Sequence, residues 1–255
     1  VAPSLGTVIQ FPARRVADAT GAASGAVAGV GSATASLLRA LGFDRDGSVD
    51  DWGRDPRFTS AVIELSRLRW DIAVGGADRL PRRAGALVVT NARRYALAPI
   101  FTAFALTRAL DRPVRFVGRP DDAPVGDFAR RIGGLLDRPE EIRGALRAGE
   151  LVVMGAAPHA GPRAVGTIDH RLVGAAVAAK VGVWAAATTS SPFGRQARVE
   201  IGRRVNPPRR RRGPLAELEL ADRLRTEIGG LLDEMGDIST GTRLDWLPFM
   251  GLGSH

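Results

Sequence analysis

Short apolar runs alternate with segments of helical period along most of this chain, and that alternation limits the fold more than any other feature. Gly85-Ala-Leu-Val-Val-Thr90, Val114–Val117, Leu151–Met154 and Val181–Ala187 are too short for helices and mostly apolar, with Thr90 and Arg115 the polar members. All four read as strands, and the β-branching and length of the first mark it as buried. Between them lie helices: Ala98–Leu110, Val125–Ile132 stopped by Gly133-Gly134, Pro139 to Ala148 opened by Pro-Glu-Glu and closed by Gly149, and Leu172–Lys180. A further strand at Ala197–Ile201 and a long helix at Leu215–Met235 complete the series. Upstream, Pro56 sits in the first turn of a surface helix carrying Phe58, Val62, Ile63 and Leu65, after which Trp70, Ile72 and Val74 alternate as a strand. This order predicts the α/β class, with a mainly parallel sheet covered by helices.

The flanks differ from this body. Residues 1–48 form an N-terminal extension of low complexity, with weak helical content where Ser32–Leu41 places Ala35, Leu38 and Leu41 on one face. The body spans 49–235. Residues 236–255 are an apolar tail, in which Leu244, Trp246, Leu247, Phe249, Met250 and Leu252 suit a lipid interface, the domain's own core or a protein partner. Thr20–Leu38 carries no charge, but its Ala, Gly, Ser and Val are too weakly apolar for a transmembrane span, and none is expected.

Composition removes several chemistries. No cysteine is present, so disulfides, thiolate metal sites and a cysteine nucleophile are excluded, and a cytoplasmic location fits. With only His159, His170 and His255 available, no metal site and no resident cofactor are expected. The net charge is +9, supplied by arginine because Lys180 is the only lysine. Between Arg195 and Arg212 eight arginines face a single acid, Glu200, and Arg209, Arg210, Arg211 and Arg212 sit between Pro207-Pro208 and Gly213-Pro214 in an exposed loop. Such a strip attracts phosphate. It lacks interleaved aromatics and a recognition helix, which favours anionic lipid over nucleic acid.

Trp52-Gly-Arg-Asp-Pro56, Gly85-Ala-Leu-Val-Val-Thr-Asn91, Arg115-Phe-Val117 and Leu146-Arg-Ala-Gly-Glu-Leu-Val-Val153 follow one another in a familiar order. From Trp70 to Met235, two thirds of its length, the chain resembles the bacterial glycerol-phosphate and lysophosphatidic acid acyltransferases, particularly their actinobacterial branch. The resemblance implies a histidine directly after Asn91 and an aspartate five positions later, the first removing the proton of the acceptor hydroxyl and the second orienting it. Those positions are Ala92 and Leu97. Neither side chain accepts a proton. The family's phosphate-gripping Pro-Glu-Gly loop corresponds to Pro158-His159-Ala-Gly-Pro-Arg163, where Arg163 can still offer a guanidinium fork, and its basic residue after the third strand corresponds to Arg119. The proline-containing block has become Val183-Trp-Ala-Ala-Ala187.

These departures leave three functions open. The first is a non-catalytic relative that binds a lipid or acyl chain, or a protein partner, through the old scaffold. Asn91, Arg93, Arg94, Arg119 and Arg163 are its candidate ligand-binding residues, since arginines at a strand-to-helix turn suit anions. The second is an active acyltransferase with a displaced base, His159 or His170, the latter beside Asp169; it would take an acyl-coenzyme A or acyl carrier thioester. The third is a basic scaffold for nucleic acid or protein. Ser190-Ser191 lacks the strained elbow of a serine hydrolase. The lipid readings place the protein in the cytoplasm, peripheral on the inner membrane face.

Overall fold

The structure is a computed structural model that describes residues 49–68, 70–92, 97–159, 164–190, 195–208 and 213–236. The N-terminal extension and the apolar tail lie outside the described residues. The elements are α1 (Pro56–Arg67), β1 (Asp71–Gly75), a 3-10 turn at Ala77–Arg79, β2 (Ala86–Thr90), α2 (Ala98–Leu110), β3 (Val114–Val117), α3 (Val125–Arg131), β4 (Gly134–Leu135), α4 (Pro139–Arg147), β5 (Leu151–Gly155), α5 (His170–Ala179), β6 (Gly182–Ser190), β7 (Gln196–Val205) and α6 (Pro214–Met235).

One seven-stranded sheet runs in the order β1-β7-β6-β2-β5-β3-β4. Its five strands from β6 to β4 are mutually parallel, whereas β7 pairs antiparallel with β6 and β1 parallel with β7. The sheet is therefore mixed at one edge. The alternation of strand and helix breaks between β6 and β7, which are only five residues apart, and a connection that short returns the chain antiparallel.

The central position of β2 explains its composition: all five of its residues have no solvent exposure. Leu87 and Val89 point into a core shared with Val152, Met154, Val183 and Ala185 and with the inner faces of α4, α5 and α6. The alternate residues face the other side, where α2 packs across β1, β3 and β5. Each such valine or leucine contributes about 1.5–3 kcal/mol by leaving water. No helix among the described residues is long and apolar enough to cross a membrane.

The Trp52–Pro56 segment turns out to be a structural clamp. Asp55 caps α1, its Oδ1 accepting from the Phe58 N–H at 3.0 Å, while its Oδ2 pairs with Arg131 of α3 at 2.9 Å. Burial pushes the Asp55 carboxyl upward, but the hydrogen bonds from Arg131 and the Phe58 backbone outweigh it, and its pKa lies below the ordinary carboxylate value. Phe58 is buried edge-on against Phe128 at 5.6 Å, with the Arg131 guanidinium 4.2 Å over its ring. Trp52 packs so close to α4 that a Cβ on Gly144 would stand 2.9 Å from its ring.

Candidate active-site region

In open sheets of this kind ligands gather where the parallel strands end. There β2 gives way to Asn91 and Ala92. Backbone pairing of β2 with β6 stops at Thr90 opposite Ala186, yet β6 continues to Ser190. The Asn91 side chain carries the pairing onward: its Nδ2 donates to the Thr188 carbonyl at 2.9 Å, and its Oδ1 accepts from the Thr188 N–H at 2.7 Å. A carboxamide is suited to this because it offers a donor and an acceptor together. Beside it the Thr188 hydroxyl shares hydrogen bonds with Thr90 at 2.8 Å and Thr102 at 3.1 Å. All four residues are buried.

Ala92 follows directly and is itself buried. Its methyl group packs over Gly155 at the end of β5, where a Cβ would stand 3.5 Å from the Ala92 Cβ and 2.8 Å from Pro99 in the first turn of α2. A side chain at Gly155 would therefore crowd the Pro99 ring of α2 while only touching Ala92. The Ala92 carbonyl accepts a hydrogen bond from the His159 N–H at 3.2 Å. Leu97 occupies the N-cap position of α2 and stands 53% exposed, so among the described residues no side chain caps the positive end of that helix.

The two histidines proposed as alternative bases have different surroundings. His159 is exposed, and its backbone is held directly against Ala92. His170 is the first residue of α5 and lines a groove of about 600 Å³ with Asp137, Ala157, Pro158 and Asp169. The neighbouring Asp169 is engaged elsewhere: Oδ1 caps the Arg171 N–H at 2.8 Å and Oδ2 pairs with the Arg171 guanidinium at 3.1 Å. Burial pushes the Asp169 carboxyl upward, but its hydrogen bonds with Arg171 prevail and hold it below the ordinary range. Among the described residues, no group of three or more His, Asp and Glu could hold a metal ion.

Arg119, just past β3, is less solvated than a turn arginine usually is. Its side chain is 15% exposed, with Nη2 3.8 Å from Glu141 in the first turn of α4, and its Nε is buried without a hydrogen-bond partner among the described residues. Arg93, Arg94, Arg163 and Arg209 to Arg212 lie outside the described residues. The threonine network was missed in the sequence; its signal is the hydroxyl run Thr188-Thr-Ser190 ending an otherwise alanine-rich strand.

A second concavity, of about 990 Å³, runs along α2 on the β1 side. Ile63, Leu68, Trp70, Ile72 and Phe104 form its apolar wall; Arg67, Arg108 and Arg195 also line it, as do Asp71 and Glu64, the latter paired with Arg67 at 2.9 Å. Trp70 stacks at 5.9 Å on Phe101, one turn beyond Leu97.

The sequence matches no protein-family model and no curated protein. Among solved structures, the fold is similar to the crystal structure of the 1-acyl-sn-glycerophosphate (LPA) acyltransferase PlsC from Thermotoga maritima. The two chains are 17% identical with a TM-score of 0.51, over 78% of this chain and 86% of that one. At this identity the likeness establishes a shared acyltransferase-like fold.

Proposed function

We propose that this protein keeps an acyltransferase-like scaffold to bind a lipid or acyl group, at a site that has given up its base. The end of β2 carries the argument: the residue following Asn91 is a buried alanine packed on Gly155, with its carbonyl held by the His159 backbone. A methyl group cannot take a proton, and the helix that would present the partner carboxylate begins instead with an exposed leucine. The groove along α2 supports the binding half of the proposal. Its apolar wall, with Arg108 and Arg195 beside the Arg67–Glu64 ion pair and Asp71, matches an amphiphile with a polar head, such as the lysophosphatidic acid named for the similar structure. Lipid extracted from the purified protein and identified by mass spectrometry tests this reading. A stoichiometric acyl lipid supports it, and a lipid-free protein that fails to bind lysophosphatidic acid or acyl thioesters refutes it.

A second reading is favoured by one contact. Because the His159 backbone is bonded to Ala92, the chain places a histidine beside the vacated position, so an active enzyme with a displaced base remains a concrete alternative. Acyl transfer from a thioester to a lysophospholipid that His159→Ala abolishes, while leaving the fold intact, would establish it.

A further inference from the structure

The two ends of the sheet differ in how their exposed cations are paired. At the end that holds Asn91, Arg119, Arg138 and Arg171 each face a carboxylate, those of Glu141, Asp121 and Asp169. The other end is where β2, β5 and β6 begin and β7 finishes. There Arg82, Arg83, Arg147, Lys180, Arg203 and Arg204 are all exposed, and none pairs with a carboxylate among the described residues.

Contacts join these side chains into one surface. Arg147, the last residue of α4, donates to the Ala178 carbonyl of α5 at 3.3 Å, two residues before Lys180. Lys180 leads into β6 at Gly182, where a Cβ would stand 3.0 Å from the Arg204 Nε. Arg83 borders Gly149, whose Cβ would lie 3.5 Å from the Arg83 carbonyl, and Arg112 fastens that corner by donating to the carbonyls of Pro81, Ala84 and Gly149. The exposed acids Asp51 and Asp111 lie on the β3 side, and Glu150 is engaged by the buried Arg115. The β5–β7 side is left positive.

Aliphatic side chains stand beside this charge. Glu217 of α6 packs on Gly174 of α5 and Arg225 reaches the Val165 carbonyl at 3.0 Å, so the two helices run antiparallel and the first turn of α6 lies beside the last turns of α5. Leu215 and Leu218 are there 63% and 44% exposed, and Val177 of α5 36%. We propose that this end of the sheet docks on an anionic lipid bilayer, with the cations against the headgroup phosphates and the three aliphatic side chains in the interface. Nucleic acid would use the charge but gain little from leucine and valine, and no aromatic is among the exposed large hydrophobics of the described residues. The surface shares no residue with the groove along α2, so docking is independent of what that groove binds.

Co-sedimentation of the full chain with vesicles of phosphatidylcholine, alone or mixed with phosphatidylglycerol, tests this. Binding should require phosphatidylglycerol and weaken as salt rises. Two variants carry matched charge changes on the same two helices. Arg147→Gln with Lys180→Asn, which leaves Arg209 to Arg212 intact, should weaken binding about fivefold per cation, or about twentyfold for the pair. Arg138→Gln with Arg171→Gln removes two cations from the opposite helix ends and should leave binding unchanged. Leu215→Ser with Leu218→Ser, both exposed and so compatible with folding, should weaken binding while preserving its salt dependence. Equal binding to neutral vesicles, equal loss in the two charge variants, or vesicle binding untouched by the leucine substitutions and abolished by competing DNA would overturn the proposal, the last outcome assigning the surface to nucleic acid.

Discussion

Asn91→Ala separates a structural from a ligand-binding role for the most informative residue of the β2 terminus. In the structure the Asn91 amide makes two hydrogen bonds with the buried backbone of Thr188, and its Oδ1 also accepts from the Thr90 hydroxyl at 3.3 Å. Truncation leaves an N–H and a C=O unsatisfied, each costing about 1–3 kcal/mol, so the total loss should be about 2–6 kcal/mol. For a domain of this size that lowers Tm by about 5–15 °C. Urea unfolding followed by circular dichroism measures the free energy directly, with the midpoint falling and the slope unchanged. Asn91→Asp should be destabilised too, because a carboxylate faces the Thr188 carbonyl where the amide donated, and the deficit should grow as pH rises and the carboxyl ionises. A loss below about 1 kcal/mol in Asn91→Ala, together with weakened lipid retention, would refute the reasoning and make Asn91 a ligand residue.

Three further outcomes follow from the same geometry. Leu97→Asp places a carboxylate at the positive end of α2 and should stabilise the protein by about 0.3–1 kcal/mol, a gain that disappears on acidification when measured by urea unfolding at pH 7 and pH 3. Gly166→Ala should cost about 1–3 kcal/mol, because its Cβ would collide with the Ala157 carbonyl and prise apart the loop holding His159; an unchanged midpoint would contradict this. Asp55 and Asp169 both have lowered pKa values in the folded state, so their stabilisation is present above the unfolded value of about 3.9 and is lost as pH falls through the folded ones. Asp55→Asn should therefore flatten the acid limb of stability against pH, and a limb as steep as in the unsubstituted protein would show that Asp55 does not contribute.

Much of the fold could be read from the sequence because burial on both faces leaves an unambiguous pattern. Ala98–Leu110 and Val114–Val117 have the predicted limits, and β2 differs only by Gly85. Gly85 cannot join a packed strand position with a side chain, since a Cβ there would lie 2.1 Å from the Leu146 carbonyl. Less legible were elements whose existence depends on partners. β4 is two residues long and exists only through its pairing with Phe116 and Val117. The length of β7 and the antiparallel edge depend on a close return from β6 that apolar periodicity does not encode.

At the site, the sequence exposed what is missing more clearly than what replaces it. Ala92 and Leu97 are visible as residues without a titratable group, but the Asn91–Thr188 pairing joins positions 97 residues apart and has no local signature. The backbone bond from His159 to Ala92 is equally nonlocal. The Trp52–Pro56 stretch, met first as a mark of resemblance, serves in the structure to cap α1 and fasten it to α3.

The central proposal is that the end of β2 does not support acyl transfer. Its most direct measurement is the rate of acyl transfer from a coenzyme A or acyl carrier thioester to lysophosphatidic acid, for the unsubstituted chain and for Ala92→His with Leu97→Asp. The account predicts no transfer above the enzyme-free rate by the unsubstituted chain, with lysophosphatidic acid still bound. Transfer by the unsubstituted chain that survives purification and disappears in His159→Ala would contradict it.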